Sequence, residues 1–92
     1  MKKYLVIGNP IEHSLSPKLH NYWIKKNNLH ANYDKLLVNK DNISRVFNNL
    51  RNNIIEGINV TIPFKKEVIA FLDNLSEEAE ITQSVNTIYK QE

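Results

Sequence analysis

The segment His13-Ser14-Leu15-Ser16-Pro17 carries two hydroxyl groups at a helix start. Ser16 stands where a serine often caps a helix, and Pro17 stands where proline fills the first helical position. The free backbone N–H groups of such a start, together with the helix dipole, attract an anion. A hydroxyl can accept a bond from an N–H group and still donate its own hydrogen. Two interpretations fit this pattern: a carboxylate site formed by Ser14 and Ser16, or a cap serine beside a loop serine.

A second polar group falls near the end of an apolar strand. Asn59 and Thr61 lie on one side of this strand, so their polar ends can meet at a ligand hydroxyl. Lys65 is predicted in the first turn of the helix that follows Pro63, where the dipole disfavours a cation. Such a break with local preference is typical of functional sites, and the same field favours a lysine that must exchange a proton. A solvated surface lysine fits this segment as well.

A third polar group lies near the end of the chain, in Ser84-Val85-Asn86-Thr87. Asn86 can offer both a donor and an acceptor to a polyhydroxylated ligand. An asparagine at a turn or strand edge is the alternative interpretation of this segment.

The remaining histidines and aromatic residues are predicted to be structural. His13, His20 and His30 have no metal-ligand spacing, so we predict no metal site. His20 and Asn21 are expected to support the first loop. Leu19, Tyr22, Trp23 and the stem of Lys26 are expected to form the inner face of the first helix.

Strands and helices alternate along the chain. Strands are predicted at residues 3–8, 32–38, 54–62 and 85–89; helices are predicted to begin at Ser16, at Asp41 or Asn42, at Pro63 and at Ser76. The apolar stripes are Ile43, Val46, Phe47 and Leu50 on the second helix, Phe64, Val68, Phe71 and Leu72 on the third, and Ile58, Val60 and Ile62 along the third strand.

This alternation predicts an α/β fold, a three-layer α/β/α arrangement with a mostly parallel sheet. In open α/β sheets, ligands bind beyond the carboxyl ends of the strands. The segments 9–17 and 59–66 and the region of Asn86 meet that description. We therefore expect the three polar groups to lie at one edge of the sheet.

Composition narrows the functional classes. The 92 residues fit one domain, 41% are hydrophobic and 24% charged, and there is no cysteine. The net charge is only +2 and the basic residues are scattered, so we predict no nucleic-acid partner. No apolar run approaches the roughly 18 residues that span a bilayer, so we predict no membrane partner and a cytoplasmic location.

Three motifs together resemble the shikimate dehydrogenase family. Residues 8–21 resemble its opening pattern G-x-P-x-x-H-S-x-S-P-x-x-H-N, and residues 57–65 resemble G-x-N-V-T-x-P-x-K. Residues 84–88 are similar to A-V-N-T-[LI], with serine in place of alanine. Their order and spacing agree over nearly the whole chain.

The resemblance implies the N-terminal, amino-acid-dehydrogenase-like domain of an enzyme that reduces 3-dehydroshikimate to shikimate with NADPH, on the route to aromatic amino acids. It implies that residues 1–92 bind the substrate and that a C-terminal NADP-binding domain lies outside this chain. By the same resemblance, serines 14 and 16 bind the substrate carboxylate, and Lys65 transfers a proton. The residues implied around the ring hydroxyls are Asn59, Thr61, Lys65 and Asn86. The resemblance is also compatible with a homodimer of the full-length enzyme.

The chain departs from the family pattern in two respects. The aspartate that works with the lysine would follow Glu92, and the only glycines, Gly8 and Gly57, do not form the Gly-x-Gly-x-x-Gly of a dinucleotide site. We therefore expect the isolated chain to be catalytically inactive and to bind shikimate weakly at best.

Three alternatives to a shikimate dehydrogenase half remain open at this stage. One is a quinate or quinate/shikimate dehydrogenase, in which one serine of the pair tends to be threonine. The others are a non-catalytic carboxylate-binding module and a small basic nucleic-acid binder.

Overall fold

The computed structural model describes residues 2–90, which form a four-stranded sheet with helices on both faces. The strands are β1 (Lys2–Gly8), β2 (Ala31–Leu37), β3 (Gly57–Val60) and β4 (Thr87–Tyr89). The helices are α1 (Ser16–Lys26), α2 (Ile43–Arg51) and α3 (Glu77–Thr82), with a short 3₁₀ helix at Glu67–Phe71. None of the helices within residues 2–90 is both long and apolar enough to cross a membrane.

The sheet has the strand order β2-β1-β3-β4. β1 pairs in parallel with β2 and with β3, whereas β4 runs antiparallel to β3. Because parallel strands end at the same edge, the chain leaves β1, β2 and β3 on one side of the molecule. β4 runs the other way, so it is its first residues that lie at this edge. The predicted α/β fold with a mostly parallel sheet is confirmed.

Alternation along the central strands divides the core between the two faces. On one face, α2 and the 3₁₀ helix cover a large apolar cluster whose strand residues are Leu5, Ile7, Ile58 and Val60. On the other face, α1 covers a smaller cluster of Val6, Ile11 and Tyr33, with Tyr4 and Ile24 packed against it. The three predicted layers are therefore present, with most of the apolar core on the α2 side.

The second helix behaves as its sequence pattern predicts. Its four apolar residues at helical spacing are all buried, namely Ile43, Val46, Phe47 and Leu50. The Phe47 ring stacks on Phe71 with their centroids 4.8 Å apart. Ser76 also caps α3 as predicted, because its side chain accepts a hydrogen bond from the Ala79 N–H.

The first helix contradicts the predicted inner face. It has no fully buried residue; Trp23 is 49% exposed, and Leu19, Tyr22 and Lys26 are exposed as well. The partly buried side, which faces the sheet, carries Pro17, His20, Asn21 and Ile24. This side includes two polar residues that bond or stack onto β2. Hydrophobicity alone therefore placed the inner face two residues away from its true position, nearly on the opposite side of the helix.

The segment around β3 is also shorter and more irregular than predicted. The strand covers Gly57–Val60 rather than residues 54–62, and Ile62 is 68% exposed instead of continuing the buried face. No helix begins at Pro63; turns lead into the 3₁₀ helix at Glu67. The predicted apolar stripe still packs on the core, since Phe64 and Val68 are buried and Phe71 and Leu72 contact the same cluster.

Replacing Phe47 by alanine should lower the free energy of unfolding by about 3–5 kcal/mol, because the change removes a buried ring and leaves a cavity against Phe71. Urea unfolding followed by circular dichroism measures this loss. Asn48→Ala is the matched control, since Asn48 is exposed on the same helix and its loss should stay within about 0.5 kcal/mol. Equal stability of the two variants would show that the core does not centre on Phe47.

Candidate substrate site

The segment 9–16, here called the serine loop, runs from the end of β1 to the first residue of α1. The two predicted ligand residues in it, Ser14 and Ser16, are partly buried. Ser16 is the first helical residue and Leu15 occupies the cap position without a side-chain cap bond, so the prediction that Ser16 caps the helix was wrong. Instead, the Ser16 N–H donates to Ser14 Oγ at 3.3 Å. The acceptor at this helix start is therefore Ser14, whose hydroxyl hydrogen stays available for a ligand.

The backbone of the same loop already holds one carboxylate. Backbone hydrogen bonds from Glu12 itself and from Ile11 hold the pKa of the exposed Glu12 carboxyl below its ordinary value. The Ile11 N–H lies 3.3 Å from Glu12 Oε2. These N–H groups serve the chain's own carboxylate and not an external anion.

Thr61 lies just beyond β3, beside the start of the serine loop. Its Oγ1 donates to the Ile7 carbonyl at 3.0 Å, and its N–H donates to the same carbonyl at 2.9 Å. A Cβ atom on Gly8 would overlap Thr61 Oγ1, so a glycine at position 8 makes room for this hydroxyl. With its hydrogen committed to the backbone, the Thr61 hydroxyl can only accept from a ligand.

Lys65 occupies a turn and not the first turn of a helix. The 3₁₀ helix begins two residues later, at Glu67, with Lys66 at its cap position. The helix-dipole argument for Lys65 therefore has no basis in the structure. The Lys65 side chain is partly buried and lines a broad concave surface together with Ser84, Asn86 and Thr87.

Two backbone hydrogen bonds join the lysine segment to the asparagine segment. The Val85 N–H donates to the Lys65 carbonyl at 2.8 Å, and the Val60 N–H donates to the Asn86 carbonyl at 2.8 Å. Asn86 immediately precedes β4, and the antiparallel direction of β4 places this residue at the carboxyl end of β3. Lys65 and Asn86 are thus brought together as the sequence predicted, although through an antiparallel strand.

Asn59 is held between two other side chains on the α1 face of the sheet. Its Oδ1 accepts from the Tyr33 hydroxyl at 2.7 Å, and its Nδ2 donates to Thr87 Oγ1 at 3.1 Å. The second hydrogen of Nδ2 remains for a ligand. Asn59 therefore does not lie free beside Thr61, as the strand pattern alone suggested. It belongs to a row of hydrogen-bonded side chains, Tyr33, Asn59 and Thr87, that runs from β2 to β4.

Sequence reasoning missed Tyr33 as part of this site. Burial raises the pKa of Tyr33, and a side-chain hydrogen bond with Ser16 offsets part of that rise. Its neighbours on α1 also differ from expectation: His20 stacks on the Tyr33 ring, and Asn21 bonds to the Tyr33 backbone. His20 and Asn21 therefore hold α1 against β2, whereas the sequence predicted that they would support the serine loop. A buried tyrosine hydroxyl needs a partner, which is the signal that could have drawn attention to Tyr33.

The residues of this chain do not fit a dinucleotide cofactor. The space that a side chain would fill beside Gly8 is taken by Thr61, and Gly57 lies against the Tyr4 ring in the middle of the sheet. Neither glycine opens a helix start whose backbone could hold a pyrophosphate. Within residues 2–90, no three histidine or acidic side chains are grouped closely enough to hold a metal ion.

Comparison with known proteins identifies the family. The sequence-family model of the shikimate dehydrogenase substrate-binding domain matches residues 6–88. This range contains all six residues proposed from the sequence. The chain belongs to the shikimate dehydrogenase substrate-binding domain family. The motif resemblance noted in the sequence is thereby confirmed at the level of the whole domain.

Relatives in this family share both sequence and structure with the chain. A protein of Pelagibacter ubique named shikimate dehydrogenase (NADP(+)) is 62% identical over 91 residues, covering 99% of this chain and 34% of the relative. The Thermus thermophilus shikimate dehydrogenase solved with shikimate is 30% identical, has a TM-score of 0.91 and matches 99% of this chain and 35% of its own. The Listeria monocytogenes enzyme solved with shikimate and NAD is 33% identical and has a TM-score of 0.92; the match covers 99% of this chain and 32% of that enzyme. The chain thus spans about a third of the length of the proteins it matches.

The close approach of Gly8 and Thr61 gives a stability test for this edge of the family's sheet. Gly8→Ala should destabilise the chain by about 1–3 kcal/mol, because the new methyl group displaces Thr61 Oγ1 from the Ile7 carbonyl. Urea unfolding measures the loss.

The matched background is Thr61→Ala, which removes the hydroxyl that the methyl group would meet. In that background Gly8→Ala should cost clearly less than in the wild type, since the two changes remove one shared contact. The same cost in both backgrounds would show that Gly8 is required for another reason.

Proposed function

We propose that this chain forms the substrate-binding part of a shikimate dehydrogenase, an enzyme that interconverts 3-dehydroshikimate and shikimate with NADP. One observation carries the proposal: the six residues that the family motifs single out come from three separate segments and lie along one edge of the sheet, around its carboxyl ends. This is the edge at which open α/β sheets bind ligands. The names of the relatives supply the substrate and the cofactor.

The serine loop is the proposed carboxylate site. Ser14 Oγ accepts the Ser16 N–H and keeps its own hydrogen to donate to the substrate carboxylate. Ser16 lies at the first position of α1, where the positive end of the helix dipole adds to the attraction. Retention of both serines supports shikimate over quinate as the preferred substrate.

The other polar groups suit the ring hydroxyls of the same substrate. Thr61 can accept from one hydroxyl, and Asn59 can donate its second Nδ2 hydrogen to another. Asn86 lies exposed beside the partly buried Lys65 on the shared concave surface and can supply both a donor and an acceptor. A site that pairs each substrate hydroxyl with a specific donor or acceptor rejects analogues that lack one.

Lys65 is the proposed proton-transfer residue. Its ammonium can donate a proton to the substrate oxygen as a carbonyl becomes a hydroxyl, and its amine can take that proton in the reverse direction. The backbone bond from Val85 to the Lys65 carbonyl holds this turn beside Asn86. The chain's residues are assigned no part in holding NADP, which we propose is bound by a domain outside this chain. The cytoplasmic location and the homodimer stay predictions.

A chimera tests the proposal directly. The 91 residues of this chain that match the Pelagibacter ubique relative would replace the corresponding third of that protein, which is 62% identical there. The chimera is expected to reduce NADP when shikimate is added. A folded chimera without this activity would contradict the proposed function.

Lys65→Ala in the chimera should lower kcat by about 10²–10⁴-fold, the usual contribution of a positioned proton-transfer group. Lys66→Ala is the matched control, because it removes the same charge from the next residue, which is exposed. Steady-state rates at saturating shikimate measure both. If the two variants kept similar activity, Lys65 would not be the proton-transfer residue.

A further inference from the structure

Tyr33 is a buried side chain on the α1 face of the sheet, held by contacts with two residues of α1. It is only 5% exposed, and its ring stacks on His20 with centroids 4.3 Å apart and planes 14° apart. Asn21 fixes its backbone on both sides, with Nδ2 donating to the Tyr33 carbonyl at 2.7 Å and Oδ1 accepting from the Tyr33 N–H at 3.0 Å. The phenol hydroxyl therefore has one well-defined position relative to β3.

From that position the phenol reaches Asn59, a residue of the proposed substrate site. It donates to Asn59 Oδ1 at 2.7 Å, the usual distance of an O–H···O hydrogen bond. One buried hydroxyl thus connects β2 with β3, two strands that β1 separates in the sheet.

Because the Tyr33 hydroxyl donates its hydrogen to Asn59, the oxygen end of the amide faces Tyr33. An asparagine amide has nearly the same shape after a half-turn, but the turn exchanges its acceptor for its donors. With Oδ1 directed to the Tyr33 hydroxyl, Nδ2 is directed to Thr87 Oγ1 at 3.1 Å. The group that Asn59 can then offer a ligand is a donor.

We propose that Tyr33 is a positioning residue of the substrate site, which fixes the Asn59 amide so that it presents an N–H to the ligand. The identity of that ligand rests on the proposed function, whereas the contact between Tyr33 and Asn59 does not. Tyr33 touches no substrate itself in this arrangement. Its effect on binding therefore passes through Asn59.

Tyr33→Phe removes the hydroxyl but keeps the ring in its apolar surroundings. In the chimera this variant should raise the KM for shikimate by about two- to tenfold, the effect of losing one neutral hydrogen bond, with a smaller change in kcat. Tyr4→Phe is the matched control, because Tyr4 is a partly buried tyrosine that pairs with Tyr33 on the same face of the sheet. The KM of the Tyr4→Phe variant for shikimate should equal that of the wild type. An unchanged KM in Tyr33→Phe would overturn the proposal.

Repeating Tyr33→Phe in the Asn59→Ala background distinguishes the positioning of Asn59 from a merely structural role of Tyr33. If Tyr33 acts through Asn59, most of the rise in KM disappears there, because the amide that it orients is gone. The same rise in both backgrounds would also overturn the proposal.

The chain by itself provides a test that is independent of the proposed function. In NMR spectra of the chain without ligand, Tyr33→Phe should shift the two side-chain N–H signals of Asn59, whereas Tyr4→Phe should leave them in place. Unshifted Asn59 signals in Tyr33→Phe would refute the positioning role even if the wild-type chimera is active. An inactive wild-type chimera with shifted Asn59 signals would refute the proposed function and still support the contact.

Discussion

β1 pairs in parallel with β2 on one side and with β3 on the other, and the candidate site depends on these two ladders. The register places Gly8 beside Leu37 and Ile7 beside Val60, so the three strands end close together. The loops that follow β1 and β3 must then leave from the same edge. Ser14 and Thr61, 47 positions apart in the sequence, come to line one small depression beside Pro10 and Ile11.

The antiparallel β4 extends this edge with residues that precede a strand instead of following one. Its pairing with β3 sets Thr87 beside Asn59 and allows their side chains to bond. The bond from Tyr33 continues the connection to β2, so three strands are joined by side chains at the level of the site. Within residues 2–90, no buried side-chain polar atom lacks a hydrogen-bond partner, as a rigid polar network requires.

Part of this architecture could be predicted from local patterns. The apolar spacing of α2 and the serine cap of α3 are decided by interactions within each helix and the face that it buries, so the sequence sufficed. The six proposed site residues were selected because motifs and strand ends both point to them, and their roles stay predictions. Their arrangement at one edge follows from the general geometry of α/β sheets.

Two of the failures, at α1 and at Lys65, share a cause: the deciding partner is distant in the sequence. The inner face of α1 carries His20 and Asn21 because Tyr33 offers a ring and a backbone to receive them. The Ser16 prediction failed for a local reason, because the helix begins at Ser16 itself and Leu15 occupies the cap position. The turn that holds Lys65 is joined to Val85, a contact that no local propensity encodes.

The central claim is that this chain alone presents the substrate-facing edge of the family's fold. An NMR titration of the chain with shikimate tests it most directly. The account predicts weak binding, with backbone amide shifts that increase with ligand concentration at Ser14, Ser16 and Asn59 and stay absent at the exposed Trp23 on α1. Amides at the serine loop and β3 that remain unmoved at high shikimate concentration would contradict it.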